Sequence, residues 1–412
     1  GGKGNDTFDI SGHTRNLLYD IKAEGNYIKK MSRGSKNRFS KDPPVNQYSI
    51  IGFKYNKTRF PQTEFGINSD DGLVVGAAIS RRTHGFRNDP YATDQKFSGM
   101  YSLTRGSYRF NYLGEFNHFS RNLDLVLKGE LGYHTLNNFF GLGNTIKIPD
   151  NPDYGFYRNR FSTLELQAFV RKRYFENLQL MVGPYMLHYW NKPKDDIHRV
   201  LEPPLPSNLD SADVFSKKTW VGVKAAMHFD NRNNTIFPTR GVLWKNEFLY
   251  TVGMGDNADN FSKVSSDMTI YASLTDPAKL VAVLGVGGTK IFNSSFEYFQ
   301  GAALGNSINL HGFRRNRYLG QSSLYGSLEL RYKLFEVKSY FLPGPFGITG
   351  FYDAGRVWLK NESSKVWHQA FGGGIYFIPF NLFMVSASVG FSGGTEEKIF
   401  NFTLGSKINF SF

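Results

Sequence analysis

The sequence predicts an all-β protein, a 16-stranded antiparallel transmembrane β-barrel with an inward-folded sixth extracellular loop. Three observations predict it. Apolar and polar residues alternate with period two over runs of about ten residues, the length that crosses a bilayer when tilted. No apolar run approaches the ~20 residues of a membrane helix, and Leu280 to Gly288 is among the longest. The composition is 16% aromatic, with 38 Phe, 23 Tyr and 43 Gly, and mean hydropathy is −0.38, as expected when half of each strand faces water.

Residues 1–46 read as the tail of an upstream domain followed by a basic linker. Gly1-Gly2-Lys3-Gly4-Asn5-Asp6-Thr7-Phe8-Asp9 resembles one turn of a glycine-aspartate calcium repeat, but one copy has no neighbour on which to stack and build a site. The start at Gly1, without a signal peptide, is expected of a piece of a longer or processed chain. Lys29, Lys30, Arg33, Lys36, Arg38 and Lys41 crowd the stretch before Pro43-Pro44. Such a run is a solvated linker or a contact for lipid or a partner, and the linker is the expectation.

Residues 47–412 are assigned to the barrel. In 123–131, Leu123, Leu125, Leu127 and Leu131 alternate with Asp124, Lys128 and Glu130. Leu324, Leu328, Leu330, Tyr332 and Leu334 oppose Ser323, Ser327, Glu329, Arg331 and Lys333. Strands are expected near 58–67, 72–83, 96–104, 107–119, 122–134, 158–172, 177–190 and 216–230. Eight more are expected near 240–252, 261–275, 279–292, 322–335, 346–358, 366–379, 381–392 and 397–412. Connections after odd strands include the long 135–157, 191–215 and 293–321, while those after even strands are mostly short, the asymmetry of outer-membrane barrels. The stretch 84–95 is the exception. The first strand is poor, because Pro61 cannot donate to a ladder and Gly66 has no side chain to pack.

Several chemistries are excluded. Cysteine is absent, so there is no disulfide frame and no thiolate metal site. The net charge of +14 is dispersed and no nucleic-acid motif accompanies it. That leaves a basic lumen, contact with anionic headgroups or a solvated surface. The 9 His show no His-Glu-x-x-His spacing, and there is no nucleophile elbow or phosphate loop. Asp230-Asn231-Arg232-Asn233-Asn234 lacks the closing Glu of a calcium loop and reads as a turn of residues that tolerate positive φ. Asp70-Asp71-Gly72 reads as a tight hairpin. No catalytic residue, cofactor or metal is expected.

The stretch Leu310-His311-Gly312-Phe313-Arg314-Arg315-Asn316-Arg317-Tyr318 carries three arginines and a histidine between two alternating segments. Buried charges need partners, so a loop this basic and aromatic needs a polar cavity. Period two places Phe351, Asp353 and Gly355 on one face of a later strand.

These residues resemble the motifs of the BamA-like outer-membrane assembly and translocation barrels, the bacterial surface antigen superfamily. Leu310-His311-Gly312-Phe313 resembles its Val-Arg-Gly-Phe/Tyr loop motif, and 351–355 its Phe-x-Asp-x-Gly strand motif. Phe229 to Gly241 resembles its Asp-x-Arg…Phe-Pro-x-x-Gly turn, and Gly405 to Phe412 its terminal signal strand. The resemblance covers roughly 58–412. Segments 68–72, 85–91 and 139–143 look like members from Bacteroidota-type bacteria, some of which carry a calcineurin-like phosphoesterase ahead of the barrel.

The resemblance implies that the loop folds into the lumen, where its Arg meets the strand Asp and Phe. Here His311 stands at the Arg position. Either His311 protonates beside Asp353, or Arg314 or Arg315 takes over, and an Arg is favoured because its charge is permanent. Gly312 is expected to permit a positive φ. Glu329 and Arg331 share an inward face, either holding the loop or opposite wall or pairing across strands. The resemblance further implies a bacterial outer-membrane location and insertion or translocation of proteins through a weak first/last-strand seam. Its residues would be Pro61, Phe65, Gly66 and Ile67 against Ile408, Phe410 and Phe412. Expected partners are outer-membrane lipid or lipopolysaccharide, client outer-membrane proteins and accessory envelope lipoproteins, and no nucleic acid. The alternative is a membrane anchor or secretion pore for a fused upstream domain. A passive porin is disfavoured by a loop-plugged lumen.

Overall fold

The computed structural model describes residues 4–12, 15–41, 55–68, 72–85, 90–120, 122–146, 153–193, 196–202, 214–293, 295–305, 309–360, 362–393 and 398–405, with backbone alone for 61–68, 398 and 400–405. Two units are present, Gly1–Tyr55 and Asn56–Phe412.

The first unit holds β1 (Thr7–Asp9), β2 (Leu17–Leu18), β3 (Tyr27–Lys30) and β4 (Lys36–Asn37). β1 pairs with β3 and β2 with β4, both parallel, with Thr7 opposite Tyr27 and Leu17 opposite Lys36. Ile21 bridges Ser40 in the same sense. The chain therefore returns above itself every 19 to 20 residues (27 − 7, 36 − 17, 40 − 21), the geometry of two stacked solenoid rungs. Asparagines zip the corner, since the Asp6 and Gly25 N–H groups donate to Asn26 Oδ1 and Asn5 Oδ1. Phe8 packs on Phe39 at 5.6 Å. Of the basic residues expected in a linker, Lys29, Lys30 and Lys36 lie in rung strands with their side chains exposed. Strands of two to four residues show no readable period, and parallel pairing at this separation leaves no local signal. The division between units also falls at Tyr55/Asn56 rather than 46/47.

The second unit is one antiparallel sheet. Its strands are β5 (Lys57–Asn68), β6 (Gly72–Thr83), β7 (Thr93–Ser102), β8 (Tyr108–Ser120), β9 (Leu123–Asn138), β10 (Arg158–Tyr174), β11 (Leu178–Trp190) and β12 (Lys218–Asp230). They continue as β13 (Gly241–Met254), β14 (Phe261–Ser273) and β15 (Leu280–Ile291). A small hairpin, β16 (Ala302–Leu304) and β17 (Tyr318–Gly320), follows outside the large sheet. β18 (Ser322–Val337), β19 (Gly344–Trp358), β20 (His368–Phe377), β21 (Met384–Ser392) and β22 (Lys398–Gly405) complete it. The order is sequential from β5 to β22, with β15 beside β18, giving 16 strands among the described residues. Cα atoms of β22 and β5 approach within 8 Å, but among the described residues no ladder joins these two edges. The named helical element is a 3₁₀ turn, Pro379–Asn381.

The pleat sorts the two faces. On β18, Leu324, Leu328, Leu330, Tyr332 and Leu334 are each 43–45% exposed, while Ser327, Glu329 and Arg331 between them are half-buried. Neighbouring strands extend the exposed apolar face through Leu284, Phe248 and Val223. A face of this size in contact with water would be an aggregation liability; in hydrocarbon it is the required one. The opposite face buries Val126, Phe169, Met181 and Ala226 as a cluster. It also carries paired charges such as Lys224 with Glu247 at 2.9 Å.

The 231–240 turn is built by side-chain caps. Asn234 Oδ1 accepts from the Ile236 and Phe237 N–H groups, and Asn233 Oδ1 from Thr239 and Arg240. Asp230 and Arg232 form a two-pronged pair at 2.8 Å each. The positive φ there belongs to Gly241, at 112°, not to the asparagines.

Replacing Leu328 by Arg is predicted to cost about 2–4 kcal/mol, the range for a cation facing mid-bilayer, whereas Ser327→Arg on the opposite face costs less. Urea titration of the chain folded in liposomes measures both.

Candidate functional site

The connection 292–321 between β15 and β18 folds against the inner face of β19 and β20. Leu304, Leu310, Phe313 and Tyr318 from the connection form one buried cluster with Val357 and Ala370, and Tyr325 packs against it. The apolar residues thus bring the loop down onto the strands, and polar contacts set its register.

The central polar group is Asp353, wholly buried on β19. Its Oδ2 accepts from the His311 backbone N–H and from His311 Nδ1, each at 2.8 Å. Its Oδ1 accepts from Ser327 Oγ at 2.5 Å, and Ser327 stands directly opposite Asp353 in the β18–β19 ladder. Three donors on one carboxylate offset much of the desolvation cost of burying it. The His311 ring lies 4.5 Å from the Phe351 ring.

The contact favoured from sequence, Arg314 or Arg315 on Asp353, is therefore corrected: His311 makes it. The Arg314 guanidinium stacks on the Tyr154 ring at 3.4 Å, and the Arg315 carbonyl accepts from Asn138 Nδ2. Permanent charge was the wrong criterion, because His311 supplies a main-chain donor as well as a side-chain one. Arg317, buried, sits over Phe140 and Tyr318 and donates to the Ile146 carbonyl.

Gly312 is also corrected. It does not have a positive φ; its requirement is close approach. A Cβ there would lie 2.8 Å from both the Ala370 Cβ and the Phe391 carbonyl oxygen, and one on Gly390 would lie 2.7 Å from the His311 oxygen. Gly355 similarly faces Leu304 and Leu310. Glu329 and Arg331 pair with each other along β18, at 3.0 and 2.8 Å, and Thr349 Oγ1 donates to Glu329 at 2.7 Å. The Arg331 guanidinium also lies over the Phe237 and Tyr271 rings, at 5.5 and 6.0 Å.

Sequence reasoning missed Ser327 as a ligand of Asp353, His368, and Gly390. Ser327 was readable only through the register with Asp353. His368 stacks on Tyr318 at 3.6 Å, and no local pattern marks it. A further contact ties the long connections together. Glu362 accepts from the Asn144 and Thr145 N–H groups, and Gly143 N–H donates to the Leu319 carbonyl. The same end is filled by aromatics, with Tyr189 stacked on Phe299 at 4.4 Å and Phe139 buried against Tyr298.

Of the expected seam residues, Pro61 lies where the β5–β6 register shifts, between Arg59 and Gln62. Phe65, Gly66 and Ile67 pair with Val75, Val74 and Leu73 of β6. Ile408, Phe410 and Phe412 lie outside the described residues.

A large antiparallel sheet with an apolar outer face, a polar inner one and a loop docked inside defines the outer-membrane β class. The Omp85 superfamily domain matches residues 89–408, and the chain belongs to that superfamily; it is a bacterial outer-membrane protein. Among solved structures, BamA from Haemophilus ducreyi lacking POTRA domains 1-3 has a similar fold, with TM-score 0.59 and 16% identity over 85% of this chain and 70% of that one. CdiB from Acinetobacter baumannii gives TM-score 0.51 and 12% identity over 85% of this chain and 59% of its own. The chain thus spans less than two thirds of the CdiB length. None of the curated proteins matches it.

In a double-mutant cycle, His311→Ala and Asp353→Asn are predicted to couple by about 1.5–3 kcal/mol, as for hydrogen bonds to a charged group. Arg314→Ala and Arg315→Ala should each be additive with Asp353→Asn. Unfolding from liposomes supplies the four stabilities of each cycle.

Proposed function

We propose that the sheet of Asn56–Phe412 closes as a 16-stranded barrel and inserts or translocates outer-membrane polypeptides through the β5/β22 seam. One observation carries this reading: the two edges approach within 8 Å, and among the described residues no ladder joins them. Pro61 interrupts β5 just where its pairing with β6 slips. Unpaired N–H and C=O groups at such an edge are costly in hydrocarbon, and an incoming strand would satisfy them by β-augmentation. The loop held by Asp353 would occupy the lumen, which disfavours a passive pore. The barrel itself is read as non-catalytic. Its partners would be client outer-membrane proteins, with envelope lipoproteins as accessories.

The division into two compact units, Gly1–Tyr55 and Asn56–Phe412, supports a second reading, in which the barrel anchors or secretes an attached domain. Deleting 1–55 discriminates between them. A general fall in outer-membrane protein levels supports insertion, and loss of one surface activity alone supports anchoring.

The chain has 0 Cys, so an introduced pair reports cleanly. Cysteines placed on β5, starting at Phe65→Cys, and scanned along β22 are predicted to crosslink and to abolish client insertion while the barrel stays folded. Full activity of a crosslinked chain would sink the insertion reading.

A further inference from the structure

The outer face of β7 to β11 carries a vertical order that the insertion reading leaves unused. Its lowest layer is apolar: Leu166 and Val170 on β10 and Val182 on β11 are 43%, 41% and 51% exposed. Towards the end with the long connections, Tyr101, Tyr108 and Tyr133 stand opposite one another on β7, β8 and β9. The rings of Tyr108 and Tyr133 stack at 4.7 Å. Phe110, two residues from Tyr108, is exposed, which fixes this row on the outer face.

Beyond the tyrosines come four arginines: Arg105 in the β7–β8 turn, Arg158 and Arg160 at the start of β10, and Arg199 in the β11–β12 connection. Phe161 points inward against Tyr189 and Phe299, so the pleat turns Arg160 outward. Arg160 Nη2 donates to the Arg105 carbonyl at 3.1 Å, and Arg199 Nη1 donates to the Arg158 carbonyl. These acceptors are neutral. The Nε atoms of Arg105 and Arg160 are shielded from water without a hydrogen-bond partner. Among the described residues Asp196 is an acid beside them; it is buried and accepts from the Arg160 backbone N–H and from Asn191 Nδ2. Burial, then Arg160, lowers the proton affinity of Arg199; Asp196 opposes this, and Arg105 and Arg158 add to it. Among the described residues, Arg199 thus has three like charges around it, Arg105, Arg158 and Arg160, against the one carboxylate of Asp196.

We propose that Arg105, Arg158, Arg160 and Arg199 form a binding site for the phosphates of a phosphorylated glycolipid in the outer leaflet. Its acyl chains would lie on Leu166, Val170 and Val182, and its sugars beside the tyrosine row. Guanidinium forks match phosphate geometry. The sequence apolar, aromatic, cationic is the order in which such a lipid presents chains, interface and headgroup. The inference rests on reading the long-connection end as the outer surface, but not on seam opening.

The test is native mass spectrometry of the full chain in detergent with three probes: diphosphoryl lipid A, dephosphorylated lipid A and inorganic pyrophosphate. Because no client is present, failure of the insertion reading leaves the result untouched. Diphosphoryl lipid A should bind, and R160Q and R199Q should each weaken it roughly tenfold, as loss of one charge-assisted contact implies. K338Q, at the opposite rim, should change nothing. R160K should keep part of the affinity, and a heat-modifiable gel shift verifies folding of each variant. Unchanged binding by R160Q and R199Q, or equal binding of the dephosphorylated lipid, overturns the site. Displacement of the lipid by equimolar pyrophosphate overturns the lipid as its source.

Discussion

A strand in hydrocarbon must pair its own backbone and keep charge off its lipid side. That single constraint organises Asn56–Phe412. Sixteen described strands pair antiparallel in sequence order, and Leu328, Leu330 and Leu284 stand on the outer face. Charges collect on the other side and neutralise one another there. Arg171 meets both Glu115 and Asp124, at 3.0 and 3.2 Å, and Arg331 forks onto Glu329. A sheet so sorted has one polar face, and a polar face can take a polar loop.

The loop and the strand beneath it need each other. Without His311, the buried carboxylate of Asp353 would keep, among the described residues, the Ser327 hydroxyl alone. Without the two glycines at 312 and 390, main chain and strand could not approach closely enough to make the contact. The arginines that made this stretch conspicuous do other work. Arg314 and Arg317 stack on Tyr154 and Phe140, tying the loop to the connection between β9 and β10 through cation–π contacts.

Strand positions were legible because a half-buried strand writes period two into the chain. Leu328 to Leu334 are an unbroken example. The loop's docking target was legible too, since Phe351, Asp353 and Gly355 share a face. What misled was weighing side-chain charge alone: main-chain donors such as His311 N–H have no letter in the sequence. The rungs of 7–40 were illegible for another reason, as β2 and β4 have two residues each and their partners lie about a turn of chain away.

By itself, then, the sequence determined that this chain is built of alternating strands, which side of a strand such as β18 is apolar, and which stretch meets the 351–355 segment. Local alternation and composition suffice for that, because each strand answers to lipid and water independently of the others. Which atom meets Asp353, why residue 312 is glycine, and which arginines gather beyond the tyrosine row were decided only by tertiary structure. Those outcomes depend on register between segments 40 to 180 residues apart, and no local preference encodes it.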